Sequence, residues 1–312
     1  MKYNILIFFL LSLSFYGCKQ GNSSEKTSVA ITKSDIKTFV LPEIPIMLEM
    51  PEQRADYLAS HYWDNMIVSP QDTIFSYDST EIEQAWVNYC SLLNGMSYSD
   101  ARAKVKEAFE KFGQNKNAFI HFIGLAEKYW YDPNSPMRCE ELYIPVLEVI
   151  MNSSVLSDAE KIRPQMHLTM AKKNRVGEQA INFNYTLQSG KQGTLYGIST
   201  EYILLFINNP GCHACEIVIG QLKDSEVVNK LISEKRLTIL ALYTDEDLAE
   251  WNKHLPDFPE EWINAYDRNQ IISNKQLYDL KAIPTLYLLD KNKQVLLKDV
   301  DFGTLYDYLI SR

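Results

Sequence analysis

Tyr202 to Glu216 reads YILLFINNPGCHACE, and the meaning of its two cysteines decides how the rest of the chain is read. Tyr202 through Ile207 is a near-continuous apolar run of strand length, the pattern of a strand buried on both faces of a mostly parallel sheet. Asn208, Asn209, Pro210 and Gly211 then break the run. A helix beginning near Cys212 would set that sulfur among free backbone N–H groups at the positive end of the macrodipole, which favours a thiolate. Cys215 lies one turn later and can close a disulfide with it, so the pair reads as a reversible dithiol.

CxxC also occurs in metal sites, and the surroundings must choose. Zinc sites usually need a second ligand pair, yet neither CxxC nor HxxxH recurs downstream. A c-type haem site would need His directly after Cys215, where Glu216 stands. Further on comes Ile283-Pro284-Thr285, followed by the strand-like Leu286 to Leu289. With these residues the chain resembles the thioredoxin superfamily, and within it the TlpA-like, membrane-anchored thiol-disulfide oxidoreductases of bacterial envelopes. The resemblance implies Cys212 and Cys215 as the catalytic pair and Ile283, Pro284 and Thr285 as the substrate-docking loop, with a cis Ile283–Pro284 bond. It implies no cofactor and no resident metal.

The likeness covers Gly177 to Arg312 and lies in the order of elements. Gly177, Ala180, Phe183, Leu187, Gly190 and Leu195 resemble an extra hairpin before the core. Leu237 to Tyr243 reads as the next core strand and Thr244 to Leu255 as a helix. Leu286 to Leu289 and Gln294 to Val300 read as a closing hairpin, and Phe302 to Ile310 as the last helix. Two positions depart from the family: Gly211 and Phe206 stand where thioredoxins carry Trp and a buried Asp. Glu216, Glu201 or a water is then left to move the proton of Cys215. His213, with Pro210, is a candidate tuning residue, because a positive imidazole beside Cys212 would favour its thiolate. The bland alternative for His213 is an exposed residue at the start of a helix.

The chain opens with Lys2, an apolar run from Ile5 to Leu13 and a cleavage-like Ser14 to Cys18, which reads as a signal peptide over residues 1–17. Gly17 before Cys18 resembles a lipoprotein signal, with Cys18 as the lipidated residue. Residues 18–34 read as a flexible tether, since Lys19 to Ser28 contains no strongly apolar side chain. The expected location is the cell envelope of a Gram-negative bacterium, facing the periplasm on a lipid anchor. The expected partners are protein thiol and disulfide substrates and a membrane redox donor. A net charge of −9 argues against nucleic acid and against electrostatic binding to anionic lipid.

With 312 residues, 46% of them hydrophobic, two globular domains are expected. Residues 35–172 read as an all-α domain and 177–312 as an α/β thioredoxin-like domain, a central mixed sheet flanked by helices. Ile82, Ala85, Trp86, Tyr89, Cys90 and Leu93 repeat at helical spacing, as do Ala101, Val105, Ala108, Phe109 and Phe112. Ser157 with Glu160 is a capping box opening a helix that Pro164 is expected to kink. Further helices are expected within Pro51 to Asn65, Asn117 to Tyr131 and Glu140 to Met151. The aromatic groups around Tyr62-Trp63 and Tyr129-Trp130-Tyr131 read as core in preference to a binding groove. This part resembles a poorly characterised helical domain found ahead of thioredoxin-like domains in envelope lipoproteins. Cys90 falls on an apolar stripe and Cys139 after a turn, either as free thiols or as a structural bridge.

Two functions of different classes follow. In one the dithiol exchanges with protein disulfides, as a reductant; in the other Cys212, Cys215 and His213 hold a soft metal ion such as copper. The expected cis-proline favours the first, since thioredoxin-like sites use it to dock substrate backbone beside the sulfur. Ile283 before it resembles the reductants of the superfamily, while His213 between the cysteines would make the pair more oxidising.

Overall fold

The computed structural model describes residues 36–312. The leader, Cys18 and the tether lie outside the described residues. Among the described residues no helix is long and apolar enough to cross a membrane.

Among the described residues six α-helices precede the first strand: α1 (Pro51–His61), α2 (Ser79–Leu93), α3 (Tyr98–Phe112), α4 (Lys116–Ala126), α5 (Glu140–Asn152) and α6 (Asp158–Ala171). Their starts follow from side-chain caps. Asp78 accepts from the backbone of Thr80 and Glu81, Ser97 from Asp100 and Asn115 from Ala118. The Ser157–Glu160 capping box opens α6 as expected, but the helix runs on through Pro164 as one element. The expected Asn117–Tyr131 helix is divided: α4 ends at Ala126, and Glu127–Tyr131 widens into a π-helical turn. Asp132, which precedes Pro133, then leaves helical geometry at ψ 125°, as the residue before a proline tends to do.

The stripes meet in an aromatic core. Trp63, Trp86, Tyr89, Phe109, Phe112, Phe122 and Trp130 are buried there, and Phe112 stacks on Phe122 with centroids 3.7 Å apart. Tyr62, Trp63 and Trp130 thus belong to the core. Cys90 is buried and Cys139 half-buried, both as free thiols.

The second part contains β1 (Asn184–Leu187), β2 (Gln192–Thr194), β3 (Tyr202–Asn208), α7 (His213–Asp224), α8 (Glu226–Ser233), β4 (Leu237–Tyr243), α9 (Leu248–His254), β5 (Ile263–Tyr266), α10 (Ile271–Asn274), β6 (Thr285–Asp290), β7 (Val295–Lys298) and α11 (Phe302–Ile310). The strands form one sheet in the order β2-β1-β5-β4-β3-β6-β7. Central β3 pairs parallel with β4 and antiparallel with β6, so the sheet is mixed. Alternation sorts β3 between two faces. Ile203, Leu205 and Ile207 join Tyr278 and Tyr287 on one side, while Leu204 and Phe206 pack with Leu222, Val228 and Leu305 from α7, α8 and α11 on the other.

The helix expected over Thr244–Leu255 is shorter, because Asp247 caps Ala249 and Glu250 at 3.1 and 3.0 Å and starts α9 at Leu248. Between the two parts, Lys172 to Arg175 is fastened to both neighbours. The buried side chain of Asn174, at φ 50°, donates to the Leu277 carbonyl (2.8 Å) and accepts from Ile181 N–H (2.7 Å). Arg175 makes a two-point ion pair with Glu141 of α5.

Candidate active site

Pro210 and Gly211 turn the chain out of β3, and Gly211 takes φ +69°, a conformation L side chains rarely adopt. A tryptophan of the kind thioredoxins place here would meet that backbone requirement poorly. The turn leaves Cys212 as the N-cap of α7, and its Sγ accepts from Cys215 N–H at 3.3 Å. A sulfur in that place faces the unpaired N–H groups of a helix start, where negative charge is favoured.

Cys212 is half-buried, whereas Cys215 is 1% exposed among Leu204, Phe206 and Leu222. Burial, followed by the hydrogen bond with Cys212, pushes the Cys215 thiol up to about 12. Both thiols are free, so this is the dithiol form. The arrangement sets one reachable sulfur over one sheltered sulfur.

The Ile283–Pro284 peptide is cis and closes over the pair. The Cys212 thiol points at the Ile283 carbonyl oxygen, 3.7 Å away. Thr285 is buried and its hydroxyl donates to the Ala282 carbonyl at 2.6 Å, tying the loop to the start of β6. The two stretches meet because β3 and β6 pair side by side, with Ile207 opposite Thr285.

His213 points away: its side chain is 87% exposed and its Nδ1 lies 3.8 Å from Glu216. Phe206, where thioredoxins bury an acid, is fully enclosed by apolar neighbours. Of the groups considered for the Cys215 proton, Glu201 is removed from the site. It precedes β3, roughly 20 Å of strand from the cysteines, and is held by Arg236 at 2.6 Å. Glu216 stays adjacent. It lines a cavity of about 530 Å³ beside Cys215, together with Asp224, His254 and Asp257. His254 is bracketed by Asp257 (2.8 Å) and Glu250 (2.9 Å), which hold its imidazole above the ordinary histidine range, Asp257 most strongly. Nothing in the spacing of His254 marks it as part of this cavity; only its place at the end of α9, next to the Pro256–Phe258 segment that lines the same cavity, does.

Among the described residues no group of three His, Cys, Asp or Glu side chains is arranged to hold a metal ion.

Fold and site together define a thioredoxin-like protein. A thioredoxin-like family model matches residues 200–295, and the model of a domain of unknown function, DUF5106, matches residues 17–174. The chain belongs to the thioredoxin-like proteins that carry this helical domain ahead of the CxxC domain. A thioredoxin-like protein from Bacteroides caccae is 51% identical, with a TM-score of 0.85 over 89% of this chain and 99% of that one. The C-terminal domain of an uncharacterized protein from Bacteroides fragilis is 58% identical over 44% of this chain and 98% of its own, with a TM-score of 0.43. A domain of a possible thiol-disulfide isomerase from Cytophaga hutchinsonii is 25% identical over 45% of this chain and 94% of its own, with a TM-score of 0.36. No curated protein matches the chain.

Proposed function

We propose that the protein is a TlpA-like thiol-disulfide oxidoreductase of the bacterial cell envelope that reduces disulfides in protein substrates. The observation that carries this is the division of labour between the sulfurs: Cys212 half-buried at a helix N-cap, Cys215 buried behind it, and the Ile283–Thr285 loop across them.

In the forward direction the Cys212 thiolate attacks one sulfur of a substrate disulfide. The S–S bond breaks, the other substrate sulfur leaves as a thiolate and takes up a proton, and a mixed disulfide with Cys212 forms. Cys215 then loses its proton, to Glu216 or to water in the adjoining cavity, and attacks Sγ of Cys212. The second substrate sulfur leaves, and the protein holds the Cys212–Cys215 disulfide. One dithiol is oxidised for each disulfide reduced. A membrane redox donor returns the protein to the dithiol, and a lipid on Cys18 keeps it at the periplasmic face of a membrane.

Cys212→Ser abolishes exchange in this scheme, and Cys215→Ala accumulates mixed disulfides with natural substrates that can be isolated from cells. A Cys215→Ala protein that traps no partner, beside a wild type that binds copper stoichiometrically, would replace the oxidoreductase with a metal carrier. The direction of electron flow is read by equilibrating the pair with glutathione. A potential below about −200 mV supports a reductant, and one near about −120 mV sinks that assignment.

A further inference from the structure

The loop over Cys212 is held from both domains. Lys281 lies two residues before Ile283, whose carbonyl faces Sγ of Cys212. Its ammonium is 3.3 Å from Asp279, 3.5 Å from Asp299 and 3.5 Å from Glu140, and 5.0 Å from the centre of the Tyr131 ring. Asp279 and Asp299 belong to the thioredoxin-like domain, whereas Glu140 opens α5 and Tyr131 ends the π-helical turn of the helical domain.

The remaining charges close the cluster. The second oxygen of Glu140 pairs with Lys298, which also donates to the carbonyls of Ala171 (3.0 Å) and Lys173 (2.7 Å). Arg138 reaches the carboxylate of Asp299 at 3.4 Å and its carbonyl at 2.5 Å. Three cations and three carboxylates therefore share one site, each side chain at most 21% exposed. Burial by itself would depress Lys281, but Glu140, Asp279 and Asp299 outweigh it and raise the lysine. At Asp299 burial wins and the carboxyl is raised, although Arg138 and Lys281 oppose it. Three carboxylates surround Lys281, whereas at Asp299 the like charges of Glu140 and Asp279 add to the effect of burial.

An apolar contact of the same size would hold two domains together at least as well, because each buried ion pays a desolvation cost. What paired charges supply is a defined register: each ammonium has its place only when every carboxylate is in its own. We propose that Glu140 and Lys281 are a positioning pair, through which the helical domain sets the Ile283 carbonyl against Cys212. The helical domain is then part of the support of the redox centre. This rests on the oxidoreductase reading and assigns its unexplained domain a role in tuning Cys212.

The test uses the full chain with Glu140→Gln, Lys281→Met and Lys281→Arg. Two quantities are read on protein shown to be folded: the pH profile of Cys212 alkylation by iodoacetamide, and the equilibrium of the pair with glutathione. His213 and Glu216, the ionisable neighbours on the α7 side, and Cys215 are the same in every variant. Glu140→Gln and Lys281→Met should displace the alkylation profile and change the exchange constant by threefold or more, while Lys281→Arg stays near wild type. Folded Glu140→Gln protein with both quantities unchanged overturns the proposal, even if Lys281→Met does not fold. Alkylation needs no disulfide substrate, so a wild type that fails to reduce protein disulfides defeats the oxidoreductase reading and leaves the positioning result legible.

Discussion

Cys215 donates its backbone N–H to Sγ of Cys212 at 3.3 Å while its own sulfur is buried. The two thiols thus differ in access and in surroundings: one sits at the N-cap of α7, and the other is held in its neutral form by burial and by its neighbour. With the Cys215 thiol pushed up to about 12, its thiolate is scarce at neutral pH, and alkylation of the reduced pair should modify Cys212 in preference to Cys215. Peptide mapping after a single equivalent of iodoacetamide checks this. Equal labelling of both cysteines in native protein would contradict the sheltered geometry.

Glu160 carries a pH prediction for the helical domain. Lys116, then the Ser157 hydroxyl and backbone, lower its carboxyl from 4.5 to about 2. A carboxyl depressed on folding stabilises above its unfolded value and loses that contribution as pH falls through the folded one, here from about 4.5 toward about 2. Glu160→Gln should therefore lower the urea midpoint at pH 7, with the gap to wild type narrowing at pH 3. Because the pair is exposed, high salt should narrow the gap as well. A gap that is constant with pH would assign the effect to the capping geometry alone.

Gly193 is a packing position. It lies opposite Tyr185 across the β1–β2 pair, and a Cβ built on it would fall 2.4 Å from Cζ of that ring. Gly193→Ala should cost roughly 1–3 kcal/mol, the usual penalty of forcing a methyl into filled space. Tyr185→Leu placed on top of it should recover part of the loss, since the ring is what the methyl meets. Calorimetry of the two variants decides; a Gly193→Ala protein as stable as wild type would show that Tyr185 swings aside freely.

Phe112 tests the aromatic core in the same manner. It stacks face to face on Phe122 and packs edge-on against Trp63 and Phe109, and it is fully buried. Phe112→Ala should destabilise by about 3–5 kcal/mol, as large aromatic-to-alanine changes in closed cores do. Chemical denaturation reads the change, and a loss below about 1 kcal/mol would mean that the core collapses around the gap.

What this sequence settles by itself is what short-range chemistry settles. The apolar run of β3, the break at Pro210-Gly211 and the CxxC at the mouth of α7 are neighbours in the chain, and period and cap residues place them. The same holds for α2, α3, the capping box of α6 and the last helix, Phe302–Ile310. Signals fail where partners are distant or weak. The four residues of β5, Ile-Asn-Ala-Tyr, carry little alternation and become a strand because β4 and β1 flank them. Pro164 marks a kink in the sequence, yet α6 continues through it. Only the tertiary structure brings Ile283 to Cys212 across 71 positions, Lys281 to Glu140 across 141, and His254 to the cavity behind Cys215. Those meetings depend on sheet order and domain packing, and a charge or a ring reveals its partner only when the chain between them has closed.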